Sequence, residues 1–531
     1  MKTKQGLSTW SVPRTAFIFA ALIELVLLFT PNAWAVPSYT RRYGVECATC
    51  HTVWGALSGA GNTFKLSGYR AINGVDLKPE SEDIEVAHGT LVMPAALPLS
   101  FITGVGIDSR TETRTFTSTG VNSMNALHDG TSDSRTGSSI AIEDASLFLS
   151  APIGKNLAAF VEFPMYEARA WEFTPTGLSS IHAQNYLTTH PAGVGDGKSG
   201  QIQFSTESPA FEVAKFFWNN ILGDSAPRDS VNLLFGVTHL PLAYSPGKVR
   251  LPVNQDLIYE RRALELISRT PTDALLGASN DGLFRLSEPQ GIIEVFGMFV
   301  PGGEVTDVKD HMWAEYHIGV SNGSNAKADN NTEKDVYARF TLRGKGQSFG
   351  LFGYHSMNTY DDAMRTAGSD TGTTYDNGQT VGVMSGAQSP NEHTTYGPHF
   401  TLSMVPFGVP VWLDNDILYR RESNPTGFGV AFNWRGGFHQ LNWQVSKQTM
   451  AYVRYDWIDG ERFDDRGATA NGNTGSTLVE AQERDYVIGV QSLIAPNLKL
   501  IGEFRNHKFE DLAGAGKLED NGGTVRFMMG F

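Results

Sequence analysis

Short segments in which apolar and polar residues alternate recur along most of this chain, and they constrain its fold more than any other feature. From residue 336 to residue 343, every second residue is apolar and the residues between are Tyr337, Arg339, Thr341 and Arg343. In two further segments, 312–321 and 449–457, the polar set comprises Trp313, Glu315, His317, Tyr452, Arg454 and Asp456. A period of two places these sets on opposite faces of a β-strand. In a transmembrane barrel the apolar face meets lipid and the charged face meets a polar lumen.

About sixteen such segments are predicted. They span 98–107, 139–151, 156–166, 209–218, 230–240, 290–300, 312–321, 333–343, 347–355, 394–405, 409–421, 436–446, 449–457, 482–494, 497–506 and 522–531. Very short links between segments alternate with long links rich in Gly, Asp, Asn, Ser and Thr. Short periplasmic turns and long extracellular loops are typical of an outer-membrane barrel.

The end of the chain favours the same fold. Val525, Phe527, Met529 and Phe531 alternate up to a terminal phenylalanine, which resembles the C-terminal strand of bacterial outer-membrane proteins. The competing interpretation is a secreted soluble sandwich or propeller, whose strands also alternate. Strand length, loop asymmetry and the terminal aromatic together favour an all-β, antiparallel outer-membrane β-barrel, so outer-membrane lipid is an expected partner.

The first 35 residues predict a secretory signal. Lys2, Lys4 and Arg14 form a basic region, an apolar stretch follows, and 33–35 reads Ala-Trp-Ala, the form of a cleavage site. The mature chain is expected to begin near Val36. Export of a β-barrel predicts the cell outer membrane, with the mature N-terminus on the periplasmic side or inside the lumen.

The only two cysteines of the chain lie in Cys47-Ala-Thr-Cys50-His51. This spacing indicates covalent attachment of one c-type haem, with thioether bonds to Cys47 and Cys50 and His51 as proximal iron ligand. Alternatives are a disulfide, a thioredoxin-like redox pair or half of a zinc site. Each fits less well, because a zinc site needs further Cys or His ligands and a redox pair is expected near a βαβ unit.

The signal pattern and the onset of regular apolar–polar alternation predict three regions: the signal 1–35, a small, partly helical haem domain 36–96, and the barrel 97–531. About sixty residues make a small hydrophobic core, so the haem is expected to complete it together with Tyr43, Trp54, Leu57, Phe64, Leu66 and Tyr69. A barrel of about sixteen strands has a wide lumen, and the haem domain is a candidate plug for it.

One haem motif joined directly to a porin-like barrel resembles the fused cytochrome-porin outer-membrane proteins of iron-oxidising bacteria. The residues that carry the resemblance are Tyr43-Gly44, Cys47, Cys50-His51-Thr52, Leu57, Gly61, Phe64-Lys65 and Gly68-Tyr69. This chain departs from the family pattern at Gly55, Ser58 and Ala60, where Pro, Asn and Phe are usual. Over the barrel the resemblance is architectural only.

The resemblance implies that extracellular Fe(II) gives electrons to the haem, which passes them to a periplasmic carrier such as a soluble c-type cytochrome, a possible Fe(II) oxidase activity. His88 and Met93 are the candidate distal ligands, and a methionine would raise the haem potential relative to a second histidine. Each has a plain alternative, a linker histidine and a rim methionine, and a distal ligand outside this pair stays open.

Two other functions remain open from the sequence: outward electron delivery to extracellular metal oxides or other acceptors, and a diffusion porin with a haem-containing gating domain. A net charge of −14 disfavours nucleic acid as a partner. Acidic clusters at Asp361-Asp362 and at Asp459, Glu461, Asp464 and Asp465 are predicted to lie in extracellular loops, and no binding role is assigned to them. The charges expected to line the lumen and to pair there or with the plug are Arg339, Arg343, Arg454, Asp456, Glu503, Arg505 and Arg526.

Overall fold

The structure is a computed structural model that describes most of the barrel and much of the N-terminal segment. The described residues are 38–45, 47–53, 56–80, 84–86, 91–93, 98–116, 132–167, 213–244, 257–260, 286–300, 312–323, 333–356, 373–374, 380–381, 392–423, 431–464, 477–495, 497–511 and 516–530. The signal 1–35 lies outside them. No described helix is long and apolar enough to cross a membrane.

Sixteen antiparallel strands close into a barrel in which each strand pairs with its neighbours in sequence. They are β1 Leu99–Phe116, β2 Ser132–Ile153, β3 Leu157–Glu167, β4 Val213–Trp218, β5 Asn232–Thr238, β6 Gln290–Phe299, β7 Trp313–Ser321, β8 Asp335–Gly344, β9 Gln347–His355, β10 His393–Ser403, β11 Val411–Glu422, β12 Phe432–Gln444, β13 Thr449–Asp464, β14 Thr477–Ala495, β15 Leu498–Asp511 and β16 Gly516–Gly530. Closure is made by β16 against β1, with Val525 opposite Ile107.

All sixteen predicted strands are present, and the predicted faces are confirmed. On β8, Val336 and Phe340 are exposed on the outer surface while Tyr337, Arg339 and Thr341 are buried on the inner face. The same alternation on β7 and β13 turns Glu315, His317, Tyr452, Arg454 and Asp456 inward. An apolar outer band around a closed antiparallel barrel with a polar interior is the architecture of outer-membrane β-barrels.

Several strands run further than the sequence pattern predicts. β1 continues to Phe116 rather than residue 107, and β13 continues to Asp464 rather than residue 457. The extensions all lie at the end of the barrel that carries the long connections, called here the long-loop end. Hydrogen bonding between the strands continues there beyond the lipid. Polar residues occupy both faces, because no lipid selects an apolar face. The prediction that Asp459, Glu461 and Asp464 lie in a loop is therefore wrong, since they belong to β13.

The opposite end, called here the short-turn end, carries short connections such as 154–156, 345–346 and 445–448. The described helices are α1 Ser38–Tyr43, α2 Cys47–Cys50, α3 Gly59–Leu66 and α4 Leu257–Glu260, with two 3-10 turns at Gly223–Ser225 and Val405–Phe407. Short antiparallel pairs join His51–Val53 to Ala56–Leu57, Ala71–Ile72 to Val75–Asp76, Ile84–Val86 to Leu91–Met93 and Thr373–Thr374 to Thr380–Val381.

Candidate functional site

The Cys-x-x-Cys-His motif forms one helical turn followed by a short strand. α2 contains both cysteines, and His51 begins the strand that pairs with Ala56–Leu57. The Ser58 N–H donates to the Cys50 carbonyl at 2.8 Å, and the Ser58 hydroxyl donates to the Thr49 carbonyl at 3.0 Å. Both Cys50 and His51 are half-buried. Ser58, which immediately precedes the next helix, thus fixes the turn.

α3 contacts this turn directly. Ser58 caps α3 by accepting a hydrogen bond from the Gly61 N–H at 3.1 Å, as serine commonly does at helix N-termini. A Cβ atom on Gly61 would lie 2.0 Å from the Cys50 carbonyl oxygen. Only glycine therefore allows the backbone of α3 to approach the cysteine turn this closely.

An aromatic cluster completes the core of the N-terminal segment. Tyr43, Phe64, Leu66 and Tyr69 are buried as expected, whereas Leu57 is 40% exposed and Trp54 lies outside the described residues. The ring of Tyr69 packs edge-on against Phe217 of β4, with centroids 5.5 Å apart. The barrel wall thus contributes to a core that the sequence predicts to be built from residues 36–96 and the haem.

Tyr69 of this cluster and Tyr39, which packs against it, are both held neutral. Burial raises the pKa of Tyr39 and of Tyr69 above the usual tyrosine range, and their mutual proximity raises the pKa of Tyr39 further. Their rings stack with centroids 5.1 Å apart. The cluster beside Cys50 therefore carries no tyrosinate charge at ordinary pH.

The N-terminal segment is tied to the inner wall at the short-turn end. The Asn62 side chain donates to Glu315 of β7 at 2.8 Å, and the Asn219 side chain donates to the Leu66 carbonyl at 2.9 Å. Further contacts at this end join Arg41 to Leu99, Arg70 to Gly154 and Leu157, and Arg228 to Asp76. The contacts come from β1, β7 and the turns after β2 and β4.

Glu315 lies at the centre of a charged group on the inner wall, defined here as the Glu315 cluster: Glu294, Glu315, His317, Arg339 and Arg343. Glu315 Oε2 accepts from Arg343 Nε at 2.9 Å, and Oε1 accepts from Arg339 and lies 3.0 Å from His317 Nε2. His317 Nδ1 lies 2.8 Å from Glu294. The Glu315 side chain is only 1% exposed, so these charges compensate one another within the wall.

The residues after β5 also enter the lumen. The Tyr244 hydroxyl donates to the Phe400 carbonyl of β10 at 2.9 Å, and Tyr259 of α4 donates to Asp416 of β11. Arg339 donates to the Leu242 carbonyl at 2.6 Å. Arg339 thus joins this segment to Glu315, and through Glu315 to the N-terminal segment.

The predicted lumen charges of β13, β15 and β16 are confirmed as buried on the inner face, and two of the arginines are paired there. Arg454 Nε lies 3.0 Å from Asp456, and Arg505 Nη2 lies 2.6 Å from Asp485. Glu503 and Arg526 are likewise buried on the inner face. The pairs of Arg454 and Arg505 compensate their charges within the wall, and Glu503 accepts a hydrogen bond from Tyr452.

The structure does not describe the side chains of the other predicted site residues. His88 and Asp361-Asp362 lie outside them, and Met93 is described only as backbone paired with Ile84. Within the part of the chain that the structure describes, no group of three or more His, Cys, Asp or Glu side chains is arranged to hold a metal ion. The distal-ligand prediction stays a prediction.

The residues of the cysteine turn fit a covalently held haem. Two thiols and an imidazole supply the required donor set in the required order. The backbone of Gly61 lies so close to Cys50 that no side chain fits between them. Cys50 itself packs at the edge of the aromatic cluster. Sequence reasoning missed Asn62 and Glu315, although the alternation on β7 does place Glu315 inward.

No family model and no curated protein matches this chain. Among solved structures, it is similar to the outer membrane channel DcaP of Acinetobacter baumannii (9% identity, TM-score 0.41, covering 85% of this chain and 100% of that one). It is also similar to an anion-selective porin from Comamonas acidovorans (11%, 0.40, 81% and 100%) and to OmpT of Vibrio cholerae (10%, 0.38, 84% and 100%). These likenesses concern overall architecture alone and carry no information about function.

Proposed function

We propose that this chain transfers electrons across the outer membrane through one c-type haem attached to Cys47 and Cys50, with His51 as proximal ligand. The observation that carries the proposal is that α3, which packs directly against the Cys-x-x-Cys-His turn, is hydrogen-bonded to Glu315 on the inner wall and to Asn219 after β4. A haem there would supply one-electron redox chemistry at a point enclosed by the barrel. The short-turn end is then periplasmic, the N-terminal segment acts as a plug, and residues 36–96 form the haem domain.

Electron flow is proposed to run inward, from extracellular Fe(II) to a soluble periplasmic carrier such as a c-type cytochrome. Each Fe(II) that becomes Fe(III) gives one electron, which is the number that a single haem held by Cys47, Cys50 and His51 would accept. Moving the electron rather than the metal keeps insoluble Fe(III) outside the cell. The chain's own residues hold the site: Ser58 and Gly61 fix the cysteine turn, and Cys50 packs against the hydrophobic core.

The test is anaerobic mixing of the purified, oxidised full-length protein with Fe(II), following the haem absorption bands. Reduction by Fe(II) is expected in the wild type, and His51→Ala is expected to lack the normal haem spectrum. A haem that dithionite reduces but Fe(II) does not would contradict inward flow and favour outward delivery to an extracellular acceptor.

A diffusion porin is the second candidate, and the closed sixteen-strand barrel favours it. Two segments against the inner wall argue for slow diffusion instead. Sugar permeation into liposomes that hold the protein separates the two, because a haem-carrying plug should leave little open path.

A further inference from the structure

We propose that Glu315 of β7 is a positioning residue that fixes the cysteine turn inside the barrel, acting through Asn62 of α3. The inference rests on the proposed function only in taking the turn to be the haem-attachment segment. Glu315 does not touch that segment's cysteines or histidine, and its role is to hold α3 in one place against the wall.

The first step is the contact itself. The Asn62 side-chain amide donates to Glu315 Oε2 at 2.8 Å across 253 residues of sequence, and Glu315 is 1% exposed. A hydrogen bond to an ionised acceptor that is shielded from water is among the stronger single contacts in a protein. Lys65, one turn further along α3, interacts electrostatically with Glu294 and Arg339 of the same cluster.

The second step is the rigidity of the acceptor. Three neighbouring side chains bind the Glu315 carboxylate: Arg339, Arg343 and His317. Arg339 is in turn anchored on the Leu242 carbonyl, and His317 on Glu294. An acceptor held from several sides cannot follow a moving partner, so it sets the position of Asn62.

The third step is the direct contact between α3 and the cysteine turn. Asn62 is in the first turn of α3, one residue after Gly61, whose backbone lies against the Cys50 carbonyl. Ser58 binds both the Cys50 and the Thr49 carbonyls immediately before the helix. A shift of α3 along the wall therefore moves Cys50 and His51 with it.

The experiment exchanges donor and acceptor in the full-length protein. Asn62→Asp places a second carboxylate against Glu315 and should release the segment, while Glu315→Gln weakens the link by removing the charge. In the double variant, the new amide on β7 can donate to the new carboxylate on α3, which also supplies a negative charge to Arg339 and Arg343 in place of Glu315, so protection of the segment should return. Asn62→Ala removes the donor without touching the wall. Asp108→Asn is the matched control, because this buried carboxylate of β1 accepts its described hydrogen bond from Thr524 of β16, on strands that do not carry the Glu315 cluster.

Two measurements report position. Trypsin is too large to enter the lumen, so the rate of cleavage after Lys65 reports release of α3, and Asn62→Asp should raise it about tenfold or more. The reduction potential and circular dichroism of the haem should shift in the same variants and recover in the double variant. Heat modifiability in gels confirms that each barrel is folded.

Single variants that keep wild-type protection and potential would overturn the proposal. So would single variants that release the segment without recovery in the double variant, because the pair would then not be the link. Protection against trypsin does not depend on Fe(II). A wild-type haem that Fe(II) fails to reduce would therefore defeat the proposed function and leave this test intact.

Discussion

At the residue scale, the approach of α3 to the cysteine turn depends on the absence of a side chain at Gly61. Gly61→Ala would place a Cβ atom 2.0 Å from the Cys50 carbonyl oxygen, and the backbone on both sides must shift. Overpacking of this kind costs about 1–3 kcal/mol. We expect faster trypsin cleavage after Lys65 and a lower fraction of protein with covalent haem, measured by haem staining of denatured gels.

Gly59→Ala is the matched control, because the added Cβ atom there has no atom within 4 Å among the described residues. It changes the same residue type in the same helix. Equal effects of the two substitutions would contradict the close approach, since they would reflect backbone flexibility rather than steric contact.

Two aspartates that each bind an arginine allow a second residue-scale prediction. Asp485 is 0% exposed and binds Arg505 through both carboxylate oxygens, at 2.7 and 2.6 Å, while Asp459 is 25% exposed and binds Arg484. Asp485→Asn removes the carboxylate that binds this buried guanidinium directly and should cost about 3–5 kcal/mol. Asp459→Asn should cost about 1 kcal/mol or less, because water screens that pair.

Both free energies of unfolding are measured by urea titration of the barrel in lipid vesicles. Equal losses for Asp485→Asn and Asp459→Asn would show that burial does not set the strength of these pairs. Asp459→Asn should also lose most of its small effect in high salt, whereas the effect of Asp485→Asn should persist.

At the element scale, the outer face of β13 tests the membrane assignment. Val453 is 53% exposed between the inward-facing Tyr452 and Arg454. Val453→Lys places a charge on the lipid face and should destabilise the barrel by about 2–4 kcal/mol in vesicles, as measured by urea titration. Val453→Leu, which keeps the face apolar, should change stability little. If Val453→Lys also left the stability unchanged, this face would not meet lipid.

Periodicity predicts elements such as β8 well because a lipid-facing side and a polar side select different residues at alternate positions. It fails at the long-loop ends of β1 and β13, where both faces meet water and the selection disappears. The Cys-x-x-Cys-His motif can be recognised in the sequence because its residues follow one another at a fixed local spacing. The Asn62–Glu315 contact is not, because no local pattern marks two residues that meet across 253 positions.

At the scale of the whole molecule, two separate segments share the lumen. The N-terminal segment lies against β1 to β7 at the short-turn end, and the residues after β5 lie against β8, β10 and β11. Arg339 contacts both groups, since it donates to Glu315 and to the Leu242 carbonyl. Each segment should therefore restrict diffusion through a different part of the barrel.

Deletion of residues 36–96 should consequently open the barrel only in part. We expect sugar permeation into liposomes to rise roughly tenfold, less than a sixteen-strand barrel with an empty lumen would allow, because Tyr244 and Tyr259 still hold the second segment against the wall. Adding Tyr244→Phe and Tyr259→Phe to the deletion removes those hydroxyl contacts and should raise permeation again. If the deletion alone left permeation unchanged, the second segment would close the lumen by itself, and the N-terminal segment would not be the plug.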